Sequence, residues 1–473
     1  MASINAQGSI TAGFIDLATF DELEKYLYGG PDATAYFVMA HKTSTWFTLC
    51  PTILSKTMGV PGFGADWAVS ISRAGDYLKS AWLRVDIGQV QAAPGYAIRW
   101  THNFAHALIV EAAVTFNDLI AERFDNYFLD FWAAFTVPAS KQAGYNNMIG
   151  NTPAQYDASY GNCATNGNIL PGFTINLPLP FFFTRDTGVA LPTAALPYNE
   201  MRISLNFRDW TQLLVAYSTT NTTTLPGGPP GGPGPCVGMV PTLSMLAGSV
   251  APVMANANVW AEYAIVSNDE RKRMGCAPRD ILIEQVQTAP RTNFVLGASN
   301  STDIRFSHAV KYLFFGGLNV TVASDWSNYS VGNVLSCGWV ARSNNIDTVS
   351  AATLLYENTQ RLAGLPADYY ALVEPWYKAP TIPRETGYHM YSYSINMYDV
   401  NPMGSTNYGK LTNVTLVMQG VTVAAQGTQP TATTAFSPQT PPNTAGTSFQ
   451  CIIIAVNNNV IRVSGGALGF PVL

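Results

Sequence analysis

Five histidines, His41, His102, His106, His308 and His389, are the first residues to test for chemistry. His102 and His106 are four apart, the spacing that puts two imidazoles on one helical face as a metal pair. A zinc protease needs a glutamate beside the first of them, and Asn103 stands there, so the motif fails its own mechanics. The densest carboxylates are Asp118, Glu122, Asp125 and Asp130. Two convergent carboxylates could act as acid and base on a glycosidic bond. Apolar residues at helical spacing over 116–135 predict a helix there, and these acids with Arg123 then read as its solvated face. Gly62-Phe63-Gly64 lacks the third glycine and the following helix of a phosphate cradle, so it reads as a tight turn. No Gly-x-Ser-x-Gly elbow occurs. The chain therefore nominates no catalytic residue, no cofactor-binding residue and no metal ligand, and implies no cofactor.

The six cysteines (50, 163, 236, 276, 337 and 451) lie at least 40 residues apart, which encodes neither a zinc ribbon nor a redox pair. They read as buried free thiols. Five glycosylation sequons begin at Asn221, Asn300, Asn319, Asn328 and Asn413 and read as chance occurrences in a Thr/Asn-rich chain. Arg271-Lys272-Arg273 is the one basic triplet.

Composition narrows the class further. Charged residues are 12% of 473, against ~25% in an ordinary soluble protein, while 47% are hydrophobic and 12% aromatic. Such a chain folds, and its surface is either unusually neutral or covered by neighbours. A net charge of −5 with no basic half argues against electrostatic nucleic-acid binding. MASINAQGSITAGF has neither the basic nor the apolar region of a signal peptide, and no apolar run reaches the ~18–20 residues of a membrane span. The expectation is a protein neither secreted by the usual route nor integral to a membrane.

The elements that must position these residues are mostly strands. Short Val, Ile, Phe, Tyr and Thr runs alternate with Gly, Pro and Asn clusters, as at 35–38, 67–72, 80–87, 112–116, 201–207, 259–266, 281–287, 310–315, 388–398 and 411–418. Met201–Phe207 alternates strictly, which buries one sheet face. A short helix is predicted over 268–274: Ser267 or Asn268 caps it, Asp269 and Glu270 open it, the basic triplet closes it, and Gly275 stops it in a left-handed turn. PGGPPGGPGP (226–235) and the Thr/Pro/Gln/Ala-rich stretch 426–446 read as surface loops.

An internal repeat carries the most information. VTFNDLIAERFDNYFLDFWAAFTVP (114–138) matches TLLYENTQRLAGLPADYYALVEPWYKAP (353–380), pairing Phe116 with Tyr356, Arg123 with Arg361, Asp125 with Asp368, and Trp132 with Trp376. Ser72–Leu78 parallels Ser307–Leu313, Tyr198–Ile203 parallels Tyr408–Asn413, and Ala264–Asn268 parallels Ile454–Asn458, all in one order. The chain thus reads as an N-terminal arm (1–30), a first β-domain (31–266), a linker helix (267–276) and a second β-domain (277–473). About 200 residues of sequential strands per copy fit an all-β fold of two tandem eight-stranded jelly rolls with short helical inserts. An immunoglobulin-like sandwich would run nearer ~100 residues.

Longer strings then identify a family. Phe14–Asp21 followed by Tyr28-Gly29-Gly30, SISRAGDYL (70–78), LPLPFFFTRDTGVALPTAALPYNE (177–200), NPMGSTNYGKLTNVT (401–415) and ALGFPVL (467–473) resemble iridovirus major capsid proteins, members of the nucleocytoplasmic large DNA virus double jelly-roll family. The resemblance runs nearly end to end, with departures in 139–172, 211–258, 338–350 and 419–448.

The resemblance implies a double jelly roll whose homotrimer forms a pseudo-hexagonal capsomer of the icosahedral shell of a large double-stranded DNA virus. It implies no enzymatic activity. The partners it implies are further copies of the chain, neighbouring capsomers, minor capsid or cement proteins and penton proteins. It also implies an internal membrane nearby, no direct nucleic-acid binding, assembly in the host cytoplasm and residence in the outer capsid of the virion. Low charge density fits such a role, since it lowers the desolvation cost of large interfaces. The competing reading is a carbohydrate-binding or glycoside-processing tandem β-sandwich protein, with Asp118–Asp130 as its acids.

Overall fold

The computed structural model describes residues 10–156, 167–218, 240–321, 323–331, 347–422 and 448–470. The expected loops at 226–235 and 426–446, with Asn221 and the cysteines at 163, 236 and 337, lie outside them.

Met1–Trp46 forms one compact unit. It holds α1 (Ile10–Ala18) and α2 (Glu22–Leu27). Asp21 and Glu24 close a capping box on α2, satisfying two backbone donors that a helix start leaves open. Residues 35–38 form turn and bend, not the expected strand.

Phe47–Leu473 forms the second unit, and here the repeat becomes visible. Its first half contributes β1 (Phe47–Ile53), β2 (Asp66–Ser70), β3 (Tyr77–Ile87), β4 (Ile109–Phe116), β5 (Leu119–Asp125), β6 (Phe173–Pro178), β7 (Met201–Phe207) and β8 (Met254–Val266). The second half contributes β9 (Arg279–Thr288), β10 (Ser299–Ile304), β11 (Ala309–Asn319), β12 (Val349–Tyr356), β13 (Thr359–Pro366), β14 (His389–Ser392), β15 (Val414–Gly420) and β16 (Phe449–Ser464). The first half pairs them β1-β8-β3-β6 and β2-β7-β4-β5, the second β9-β16-β11-β14 and β10-β15-β12-β13. One topology is built twice, a pair of antiparallel sheets with jelly-roll strand order. Tyr388–Tyr398 supplies a strand only over His389–Ser392, and 411–418 begins its strand at Val414 after a turn at Tyr408–Lys410.

Local chemistry explains the repeat. The β4–β5 hairpin turns through Asn117 and Asp118 at φ 48° and 66°, and the β12–β13 hairpin through Glu357 and Asn358 at 48° and 63°. Two consecutive positive φ values are what a two-residue hairpin of matching twist requires. Both hairpins carry a bulge at the same place, between Val114 and Thr115 and between Leu354 and Leu355. The predicted helix over 116–135 is corrected accordingly: a strand comes first, then α4 (Asn126–Thr136), whose start is capped by Asp125 accepting from Phe128 N at 2.9 Å. The counterpart of α4 is a helical segment with π geometry over Tyr369–Val373 that runs on as Glu374–Lys378. The first half also carries α3 (Phe104–Leu108) ahead of β4, and α5 (Ala139–Met148) and a single helical turn at Pro153–Tyr156 after α4.

The linker helix α6 spans Asn268–Cys276. It passes through Gly275 rather than stopping there, because no left-handed turn forms at that glycine. Arg271, assigned above to the macrodipole, instead forks onto Asp76 at 2.7 and 2.9 Å. That contact and the Val266 N–H hold the Asp76 carboxyl below the usual carboxylate range. The helix is thereby tied to the mouth of β3.

Candidate functional site

The carboxylates offered as a sugar-cleaving set do not converge. Asp118 sits exposed in the β4–β5 turn, Glu122 is buried on β5, Asp125 caps α4, and Asp130 is buried within α4. Reading them as one solvated helical face is therefore wrong, since two of the four are inside the protein. Glu122 accepts from Phe182 N at 2.6 Å, and burial outweighs the nearby Arg185 charge, pushing its carboxyl up to about 8.

The two adjacent histidines part as well. His102 precedes α3 and stacks on Tyr156, with ring centroids 4.3 Å apart. His106 lies within α3, its Nδ1 2.7 Å from Asp130 Oδ1 and its Nε2 2.7 Å from Tyr145 Oη. His308 occupies a left-handed turn at φ 63°, and His389 on β14 has Nε2 2.9 Å from Asp347. Among the described residues, no three His, Cys, Asp or Glu side chains are placed to hold a metal ion. Gly62–Ala65 closes a turn, with Ala65 N donating to Gly62 O at 3.2 Å. Cys50 and Cys276 are exposed, contrary to the expectation of buried thiols, and Cys451 is buried. Asn319 and Asn328 are both buried, so folded protein offers no glycan room at those sequons.

What the geometry does build is a seam between the two halves. α4 is buried nearly all round, and two of its three phenylalanines pack against the second half. Phe131 packs against Phe314, Tyr329 and Tyr388 at centroid distances of 5.7, 5.2 and 5.1 Å, while Phe135 stacks on Phe314 at 5.2 Å. Gly316 on β11 makes this approach feasible: a Cβ there would lie 3.3 Å from Phe131 Cζ and 2.7 Å from Gly387 O. Asp130 adds a polar hub, accepting from Asn103 Nδ2 at 3.2 Å on its own side and from Ser327 Oγ at 2.5 Å and Tyr329 Oη at 3.2 Å across the seam. Glu284 on β9 meets Lys311 at 2.6 Å and Arg185 of the first half at 3.6 Å. Arg185 in turn lies 3.5 Å over the Trp132 ring. Arg99 pairs with Asp325 at 3.1 Å, and both are buried. Buried charges are tolerated here because each is paired across or beside the seam.

Hydrophobic packing follows the same division. Tyr312, Phe314, Ile452, Ile454 and Val456, on the outer face of β9-β16-β11-β14, join the core of the first half. Leu313, Phe315, Ile453 and Ala455 face inward and form the second sandwich's own core.

Two surfaces of related design remain open. On the counterpart of α4, Leu372 is 52% exposed, Trp376 70% and Tyr377 77%. On the outer face of β1-β8-β3-β6, Phe47 is 54% exposed at one end of β1, and a stacked Trp82–Trp260 pair with centroids 6.0 Å apart lies six ladder positions further along. Large exposed apolar groups mark contact surfaces rather than catalytic ones. Individual motifs give no signal for these surfaces; the Trp132/Trp376 match in the internal repeat does, once one of the pair is seen covered and the other bare.

Two jelly rolls in series, joined by a buried seam and carrying bare apolar faces, define a double jelly-roll protein built to pack against others. Known proteins agree. Residues 35–266 match the family model described as "Major capsid protein N-terminus", and residues 270–469 the one described as "Large eukaryotic DNA virus major capsid protein". The chain is 54% identical over 482 residues to the major capsid protein of Costelytra zealandica iridescent virus, covering 99% of both chains. It is 53% identical over 474 residues to that of Wiseana iridescent virus, covering 98% of this chain and 93% of the relative. Its fold matches a chain of the PBCV-1 virus capsid, a quasi-atomic model, with a TM-score of 0.70 at 20% identity, covering 93% of this chain and 100% of that one. The chain belongs to the family of iridovirus major capsid proteins, and is a structural protein rather than an enzyme. The carbohydrate-processing alternative falls with the scattered carboxylates and with this membership.

Proposed function

We propose that three copies of the chain close into a pseudo-hexagonal capsomer, and that such capsomers tile the icosahedral shell of a large double-stranded DNA virus. As a major capsid protein the chain assembles with itself into the capsid of the virion. The observation that carries the finer reading is the repeated sandwich: two like lobes per chain and three chains give six lobes around an axis of only threefold symmetry.

In this proposal the functional parts are the N-terminal arm (1–30), the first jelly roll (31–266), the linker helix (267–276) and the second jelly roll (277–473). The capsomer contacts neighbouring capsomers, minor capsid or cement proteins and penton proteins, with an internal membrane beneath it and no direct nucleic-acid contact. Assembly takes place in the host cytoplasm. The acidic balance, net −5, supports the absence of phosphate binding.

Light scattering of purified protein tests the stoichiometry. The expected mass is three chains of 51.0 kDa, seen in electron micrographs as six-lobed discs. A single-chain or dimeric mass at micromolar concentration would refute the capsomer proposal.

A further inference from the structure

We infer that the helical segment Tyr369–Lys378 of one copy docks on the outer face of the β1-β8-β3-β6 sheet of a second copy, repeating between chains the contact that α4 makes within one. The inference rests on the trimer proposed above and names its contact surface.

The ladders give the equivalence. Tyr77 pairs with Ala264, and its repeat partner Tyr312 pairs with Val456. Stepping along the strand by two sets Glu262 opposite Ser80 in one half and Ile454 opposite Phe314 in the other, then Trp260 opposite Trp82 and Ile452 opposite Gly316. This equivalence moves the final strand's match two residues from the alignment read off the sequence. Since Val259, Ala261 and Tyr263 point into the first sandwich, Trp260, Glu262 and Ala264 lie on its outer face. In the second half that outer face is Ile452, Ile454 and Val456, none more than 1% exposed, because the first half covers it. In the first half the same positions are only half-buried.

The helices show the reverse pattern. α4 has Phe131 and Phe135 covered by the second half, and its Trp132 lies between Arg185 and Tyr398, stacked on the latter at 6.1 Å. Its counterpart presents Leu372, Trp376 and Tyr377 to solvent. Each chain thus has one helix seated on one sheet, and one bare helix and one bare sheet of the same two kinds. The bare pair belongs to opposite halves, so joining them between copies is a head-to-tail contact, which generates a ring where the rotation closes.

Residue choice keeps the two contacts distinct. Where Gly316 admits Phe131, the first half has Trp82, whose indole would block a phenylalanine arriving along the same path. A second copy's α4 therefore cannot replace the 369–378 segment, and lobes alternate around the ring. Phe47 on β1 extends the face at its free edge, opposite Val266.

Trp376→Glu and Phe47→Glu test the inference from its two sides. Both side chains are exposed in the single chain, so circular dichroism, and the denaturant midpoint at a concentration where chains are separate, should stay at wild-type values. Loss of an aromatic anchor should raise the concentration for half-dissociation of the trimer by more than about 30-fold, read by light scattering. Hydroxyl-radical footprinting should find Trp376 and Trp260 protected in wild-type trimer and labelled in Trp376→Glu. If both variants remain trimeric with Trp376 freely labelled in wild type, the inference is overturned and the trimer stands. If Trp376→Glu stays trimeric but no longer forms particles, another partner owns this face and the inference is again overturned. A wild-type protein found only as single chains removes trimer and contact together.

Discussion

The two halves share a strand order but not a fate for their faces. Where the second half has Ile452, Ile454 and Val456 sealed by the first half, the first has Trp260, Glu262 and Ala264 half open. The helices differ in the same sense. Asp130 of α4 reaches out, to Ser327 and Tyr329 of the other half. Glu374, at the matching position two residues before Trp376, turns inward to Lys378 at 2.6 Å, Ser392 N at 3.1 Å and Tyr369 Oη at 3.0 Å. One carboxylate ties two lobes together, and the other stays within its own. A duplicated fold therefore records, residue by residue, which contacts are made inside the chain and which are left for a neighbour.

The largest expected effect breaks this comparison at its closed side. Phe131→Ala should lower the stability of the chain by ~3–5 kcal/mol, because a fully buried ring touching three aromatics leaves a cavity. Leu372→Ala, on the exposed helix, should change unfolding of the isolated chain by less than about 0.5 kcal/mol. Denaturant midpoints at a concentration where chains are separate would measure both. Equal losses would mean that the two helices are equally integrated and the asymmetry is false.

A smaller effect concerns Glu122, a buried charge site at the seam with no equivalent charge in the second half, where Leu362 holds its ladder position. Its folded carboxyl titrates at about 8 against an ordinary 4.5, so the native state binds the proton more tightly than the unfolded chain. Stability from this group is thus full below about 4.5 and lost as pH rises toward 8. Glu122→Gln, neutral throughout, should match wild type at pH 5 and exceed it at pH 8 by a few kcal/mol at most, with a flatter dependence between. Parallel pH profiles for the two proteins would show that Glu122 stays ionised in the fold.

Much of this was legible in the sequence, and the failures have physical causes. The alternation of Met201–Phe207 and the Trp132/Trp376 match signalled strands and duplication, because burial on one face imposes a period that needs no tertiary knowledge. Residues 119–125 read as helix in the sequence because Phe116, Leu119, Ile120 and Phe124 fall at helical spacing; the left-handed Asn117-Asp118 turn decides the matter, and it is a backbone fact. The seam was invisible for a different reason. Asp130 and Ser327 are 197 residues apart, so neither local pattern nor composition could bring them together. Arg271 looked like a helix-end charge until the fold supplied Asp76, 195 positions away.

The smallest effect sharpens the comparison without altering the fold. Cys451 on β16 is 2% exposed, its Sγ accepts from Thr302 Oγ1 at 3.8 Å, and burial pushes its thiol up to about 11. Cys50 on β1 and Cys276 on α6 are exposed. Thiolate is the reactive form, so iodoacetamide at pH 8 should modify Cys50 and Cys276 in native protein and leave Cys451 untouched, as peptide mass mapping would show. Cys50 is the ladder partner of the inward-pointing Tyr263, so its thiol lies on the side of β1 turned away from Phe47 and the proposed contact, whereas Cys276 ends the linker helix. Assembly should therefore leave the labelling of both cysteines unchanged relative to the Trp376→Glu chain. If assembly slowed labelling of Cys50 several-fold, the contact would reach the inner side of β1, and the outer face of the first half would have to be closed from elsewhere.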